Sequence, residues 1–115
     1  MNNSVEYYLA KGMDRKRAEY FAAGRRKIIA VQPEQQRRLL ITFDNGERRI
    51  FDISPLIAEA TVFAPLADDQ LFLRVYIDEQ HCISWDIDPE IDSAIVWSNK
   101  IDLCPDSCYV DSTPV

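Results

Sequence analysis

The dipeptide Asn45-Gly46 stands between two alternating apolar runs, and no other feature constrains this chain as strongly. Upstream, "RRLLITF" (37–43) sets Leu39, Ile41 and Phe43 on one side of an extended strand and Leu40 and Thr42 on the other. Downstream, "RRIFDI" (48–53) reads as the return strand. Asn-Gly favours a two-residue hairpin connection, because both central positions of a type I′ turn need positive φ. The charges crowded into "TFDNGERRIFDISPL" (42–56) are therefore turn chemistry rather than a catalytic cluster. Arg48 and Arg49 would repel Arg37 and Arg38 across the ladder, so their acidic partners are expected from elsewhere.

The remaining elements follow from period and punctuation. "SVEYYLA" (4–10) reads as a short helix stopped at Gly12, and Asp14 caps a second, "RKRAEYFAA", which ends at Gly24. "KIIAVQ" (27–32) is a strand stopped by Pro33. Ser54-Pro55 supplies an N-cap and a first helical residue for a short helix through "LIAEA". "LFLRVYI" (71–77) is nearly continuous apolar and reads as a central strand covered on both faces. "CISWDI" (82–87) and "SAIVWS" (93–98) are further strands, and "PDSCYV" (105–110) is a short terminal helix or turn. The fold class predicted is α+β: a small, mainly antiparallel twisted sheet of about five strands, with a short helix after the third. A helical hairpin, residues 1–26, precedes this 27–115 unit.

Charge divides the chain. Residues 1–50 hold 11 Lys/Arg against 6 Asp/Glu, and residues 51–115 hold 2 against 13. Either the halves lie against each other or cover opposite faces, or one of them meets a partner of opposite sign. No apolar run approaches the ~20 residues of a membrane helix, and the first residues lack a secretory layout. Three cysteines, Cys82, Cys104 and Cys108, form no regular framework, so a cytoplasmic location is expected.

Enzymatic chemistry finds little support in these residues. The single histidine, His81, adjoins Cys82, and strand neighbours point to opposite faces. Cys104 and Cys108 have zinc-like spacing but no second pair of ligands. Asp86, Asp88, Glu90 and Asp92 alternate with other residues, so in an extended chain they share one face. A calcium loop would need glycine where Ile91 stands and glutamate where Trp97 stands. The three glycines, Gly12, Gly24 and Gly46, are used by caps and a turn, leaving no phosphate loop. No catalytic residue, cofactor or metal site is assigned, and a non-enzymatic protein is expected.

Two binding readings stay open. In the first, Asp86, Asp88, Glu90, Asp92 and an exposed side of Trp97 face a basic protein partner. The plainer version of that region is a solvated rim with Trp85 and Trp97 both in the core. In the second, Arg15, Arg17, Arg25, Arg26 and Lys27 of the basic hairpin contact nucleic-acid phosphates. An acidic surface that imitates nucleic acid and blocks a nuclease is a variant of the first. The hairpin must also cover Tyr7, Tyr8, Leu9 and Phe21, for which a second copy in a homodimer is one candidate.

The runs "LLITFDNGERRIFDISPLI", "FAPLADDQLFLRVYID" and "ISWDIDPEID" resemble the domain-of-unknown-function family 2442 over roughly residues 27–92. The preceding "YYLAKGMDRKRAEYFAAGRRKI" resembles an N-terminal extension of some relatives. The resemblance implies a small α+β domain with a predominantly antiparallel sheet, and no enzyme activity is assigned to the family. Some relatives carry a C-terminal helix-turn-helix domain, whereas the helical hairpin here is N-terminal. Others are encoded beside a second small protein in a toxin–antitoxin-like arrangement, which implies an antitoxin-like, protein-binding role.

Overall fold

The computed structural model describes residues 3–58 and 62–115. Two short helices, α1 (Val5–Ala10) and α2 (Arg15–Ala23), open the chain. The Ser4 and Asp14 side chains accept the backbone N–H groups of Tyr7 and Arg17, satisfying donors that a helix start leaves free. Gly12 and Gly24 then adopt φ values of 93° and 103°, which L side chains rarely take.

Strands β1 (Ile28–Glu34), β2 (Arg38–Phe43) and β3 (Arg48–Asp52) form an antiparallel meander. A two-residue strand, β7 (Thr113–Pro114), returns to β3 and completes the order β1-β2-β3-β7. Leu39, Ile41 and Phe43 are all buried, as the alternation requires. The β2–β3 turn differs from the two-residue form expected. Gly46 N–H donates to the Phe43 carbonyl at 2.9 Å, and Gly46 alone takes positive φ while Asn45 does not. The Asn45 side chain instead accepts the N–H of Glu47, which makes the connection one residue longer, with glycine at the bulge. Pro33 does not stop β1 but pairs with Leu39 inside it; on an outer strand its missing N–H faces away from the ladder.

The second half departs further from the sequence reading. In place of one sheet of about five strands there are two. The smaller sheet orders β4 (Tyr76–Ile77), β5 (Ile83–Asp86) and β6 (Lys100–Leu103). The expected central strand 71–77 is split: its first three residues belong to a helix, α4 (Asp69–Leu73), and only Tyr76–Ile77 extend, as β4. Asp68 caps α4 by accepting the N–H groups of Gln70 and Leu71, so Leu71 and Phe72 turn inward while Leu73 is 62% exposed. The Phe72 carbonyl accepts the indole N–H of buried Trp85 at 3.0 Å, joining α4 to β5. Residues 93–98 form no strand either: they are turns leading into a short 3₁₀ segment, and pairing resumes only at Lys100.

A short helix, α3 (Ser54–Ala58), follows the third strand as expected. Ser54 is its first residue rather than its cap; Asp52 accepts both the N–H and the hydroxyl of Ser54. The remainder of "LIAEA" lies outside the described residues. The last helix, α5 (Pro105–Val110), buries Cys108 and Val110. Ile28, Phe43, Ile53, Leu66, Phe72, Ile83, Trp85 and Cys108 form a single core fed by both sheets. Each large apolar side chain buried there contributes roughly 1.5–3 kcal/mol.

The basic hairpin lies against the acidic C-terminal helix. Arg25 bonds Asp106 through Nε and Nη2 at 3.1 and 2.7 Å, and Arg17 reaches Asp111 at 3.2 Å. Tyr20 donates to Asp106 at 2.6 Å and accepts the Arg26 N–H at 2.9 Å. Burial, followed by the hydrogen bond to Asp106, pushes the Tyr20 phenol well above its ordinary pKa. Part of the charge division read from the sequence is thus met within the molecule.

Candidate partner-binding surface

Strands β5 and β6 pair from Ile83↔Leu103 to Asp86↔Lys100, so residues 87–99 form a loop at the end of a hairpin. Loops of such length inside a compact domain are commonly functional. Asn99 organises this one. Its buried side chain accepts the Asp88 N–H at 2.8 Å, while its amide nitrogen donates toward the Asp88 and Ile91 carbonyls at 3.0 and 3.1 Å and Ser93 Oγ at 3.0 Å. The backbone adds Ile87 N–H to the Asn99 carbonyl at 2.8 Å.

The acidic residues build the same loop. Asp88 Oδ1 accepts the N–H of Glu90 and Asp92 Oδ1 that of Ala94, each at 2.9 Å, in local turns. Asp86, at the end of β5, accepts the hydroxyls of Tyr76 and Ser93 at 2.8 and 2.6 Å. The expectation that four carboxylates share one face of an extended chain fails, because the backbone curls after Asp86 to satisfy these bonds. Asp88, Glu90 and Asp92 remain exposed around the loop.

Within that acidic surround stands an apolar platform. Trp97 is 83% exposed and Ile95 79%, with Val96, Ile91 and Ile87 also on the surface. The two tryptophans therefore divide, Trp85 into the core and Trp97 into solvent. A cleft of about 710 Å³ opens beside the platform between residues 76–80 and 89–94, and its lining includes Asp78, Glu79, Asp86, Glu90, Asp92 and Lys100.

At the cleft's inner wall Lys100 Nζ meets Asp78 Oδ2 at 2.6 Å, with the Asp78 side chain almost fully covered. Asp78 also accepts the N–H groups of Gln80 and Cys82 and the Ser84 hydroxyl. Burial raises its pKa, but the bond to Lys100 and these donors outweigh burial and hold it below the ordinary value. The bond to Asp78 holds the Lys100 ammonium above its ordinary pKa. Burial, followed by the bond to Asp86, lifts Tyr76 to about 12.

The basic residues proposed for nucleic acid are differently placed. Arg17, Arg25 and Arg26 face Asp111, Asp106 and Asp44, and Arg15 stands 3.9 Å from Glu19. Lys27 is exposed. Of the residues offered for a dimer contact, Tyr7 is exposed, and Tyr8 and Phe21 pack on each other with ring centres 5.7 Å apart.

His81 turns its ring toward the Ile28 carbonyl at 3.3 Å from a left-handed backbone position. Cys82 is part-buried, Cys104 exposed and Cys108 buried; burial first, then nearby ionisable groups, raises the Cys82 and Cys108 thiols. Among the described residues no group of three or more His, Cys, Asp or Glu is placed to hold a metal ion. No helix among them is long and apolar enough to cross a membrane.

Sequence reasoning missed Asn99, the Asp78–Lys100 pair, and Ile95 and Val96 as surface residues. Turn-forming Asp92-Ser93 and Ser98-Asn99 on either side of "AIVW" were the available signal that this run is a loop tip.

Neither a search of the curated proteins nor one of the solved structures finds a match. A family model described as "Protein of unknown function (DUF2442)" matches residues 28–113, a span that holds β1 to β6 and the candidate loop. Over that span, with the helical hairpin of residues 5–23 standing before it, the chain belongs to the DUF2442 family.

Proposed function

We propose that this chain is a non-enzymatic binding module that docks a basic protein through the 87–99 loop. The observation that carries the reading is the exposure of Trp97 and Ile95, at 83% and 79%, on a loop tied down by Asn99. Adjoining exposed apolar side chains on an ordered loop mark contact surfaces, and tryptophan is enriched among residues that dominate binding energy. The surrounding Asp88, Glu90 and Asp92 supply steering and partner choice more than affinity. Such a loop suits an antitoxin-like or inhibitory role, in which carboxylates cover a basic groove that otherwise takes nucleic acid.

The test is quantitative capture from the native cell with the wild-type chain, Trp97→Ala and Ile95→Ser. The reading expects a basic protein whose capture falls about tenfold or more in either variant and weakens with salt. Capture indifferent to both substitutions overturns it. So does a salt-sensitive mobility shift of generic DNA that is lost when Arg15, Arg25 and Lys27 are neutralised, since that places binding on the helical hairpin.

A further inference from the structure

A second concavity, of about 420 Å³, lies at the seam between α2 and the body of the domain. That volume falls within the usual range for small-molecule sites. Tyr20 and Tyr109 stand in its wall with ring centres 5.0 Å apart. Around them the lining carries three cations, Lys16, Arg26 and Arg49, against one carboxylate, Glu19, in a chain whose net charge is −6.

Arg49 is the informative member. It is only 8% exposed, and its guanidinium carbon lies 4.5 Å over the Tyr109 ring. Nε donates to Ser112 Oγ, Nη2 to the Ser112 carbonyl and Nη1 to Glu47, at 2.7, 2.7 and 2.9 Å. A guanidinium has five N–H groups, so two are left over in a fork already held rigid. Arg26 bonds the Ala23 carbonyl at 3.3 Å, and Asp44 stands at the long distance of 4.0 Å from it. Lys16 lies exposed on α2. The Asn45 side chain accepts the Glu47 N–H and its amide also donates to the Glu47 carboxylate, which leaves it one further N–H.

We propose that this pocket binds a small planar molecule bearing an oxyanion, either a carboxylate or a phosphate monoester. The oxyanion is held by Arg26, Lys16 and the spare donors of Arg49, and the flat body lies against the part-exposed Tyr109, behind which Tyr20 is buried. The site is built from residues before and within the family match, so it belongs to this chain's helical extension as much as to the domain. It shares no lining residue with the loop cleft and stands or falls separately from the partner reading.

Calorimetric titration of the full chain with adenosine 5′-monophosphate and with 4-hydroxybenzoate tests it, with adenosine and phenol as oxyanion-free controls. At least one oxyanion probe should bind one-to-one with Kd below about 1 mM, and its control at least about tenfold more weakly. Which probe binds identifies the source of the oxyanion. The Gly24 and Asn45 amides should shift in NMR spectra on binding, and Lys16→Ala with Arg26→Ala should weaken binding about tenfold or more. Should that double variant unfold, Lys16→Glu, at an exposed helix position, carries the same expectation. Glu90→Gln, in the other cleft, should leave affinity unchanged. No saturable binding of either probe, binding indifferent to the Lys16 change, or shifts confined to residues 86–97 would each overturn the proposal.

Discussion

Replacing Asn99 by alanine should open the 87–98 loop while leaving both sheets paired. The carboxamide makes four close contacts, but one oxygen and two hydrogens satisfy about three of them at once. At about 1 kcal/mol net for each, the loss is about 3 kcal/mol if the freed groups stay dry. Most residues of this loop are exposed, so water reaches the Asp88 and Ile91 carbonyls once it loosens, which reduces the figure to about 2 kcal/mol. Amide hydrogen exchange reads this directly. Asp88, Glu90 and Ala94 should exchange about 30-fold faster, with Ile41 and Phe43 in β2 unchanged. Asn99→Asp should protect the loop no better, because it keeps an acceptor for Asp88 N–H but turns a carboxylate toward two carbonyls. Unchanged exchange at Asp88 in the alanine variant would refute the assignment of Asn99 as the loop's anchor.

Trp85→Ala should cost about 3–5 kcal/mol in urea unfolding and also leave the Phe72 carbonyl without its donor, whereas Trp97→Ala should stay within about 0.5 kcal/mol of wild type. Asp78→Asn should destabilise by about 1–3 kcal/mol, less than a fully buried pair because Lys100 retains partial solvent contact. Asp78 titrates below its ordinary value, so its contribution is present at neutral pH and should fade as pH falls through its folded pKa. Lys100 is shifted upward, so its contribution is complete below its ordinary pKa and should be lost as pH rises through the folded value; urea midpoints against pH check both. Tyr20→Phe removes one donor and one acceptor at the seam and should cost about 1–2 kcal/mol, seen as faster proteolysis within residues 10–26.

The first half of the chain was legible because its signals are local. Leu39, Ile41 and Phe43 alternate, Gly46 must take positive φ, and Asp14 caps the helix that follows it, all decided within a few residues. The 71–77 run was not, since a short apolar run suits a helix or a strand equally. Asp68 settled its start as a helix, Asp69–Leu73, by capping, and the Phe72 carbonyl then became the acceptor for Trp85, while Tyr76–Ile77 stayed extended. Burial of Trp85 and exposure of Trp97 could not be told apart by residue type, because that depends on where β5 stops pairing.

Composition, period and turn residues settled that residues 38–52 pair as a hairpin, where it bends and that charge is unevenly divided. Those properties arise from neighbours in the chain. The split into two sheets, the curl of the acidic run and the meeting of Arg25 with Asp106 needed the folded molecule. Each depends on groups brought together across long stretches of chain, and no local pattern encodes which distant partner will satisfy a given donor or cover a given ring.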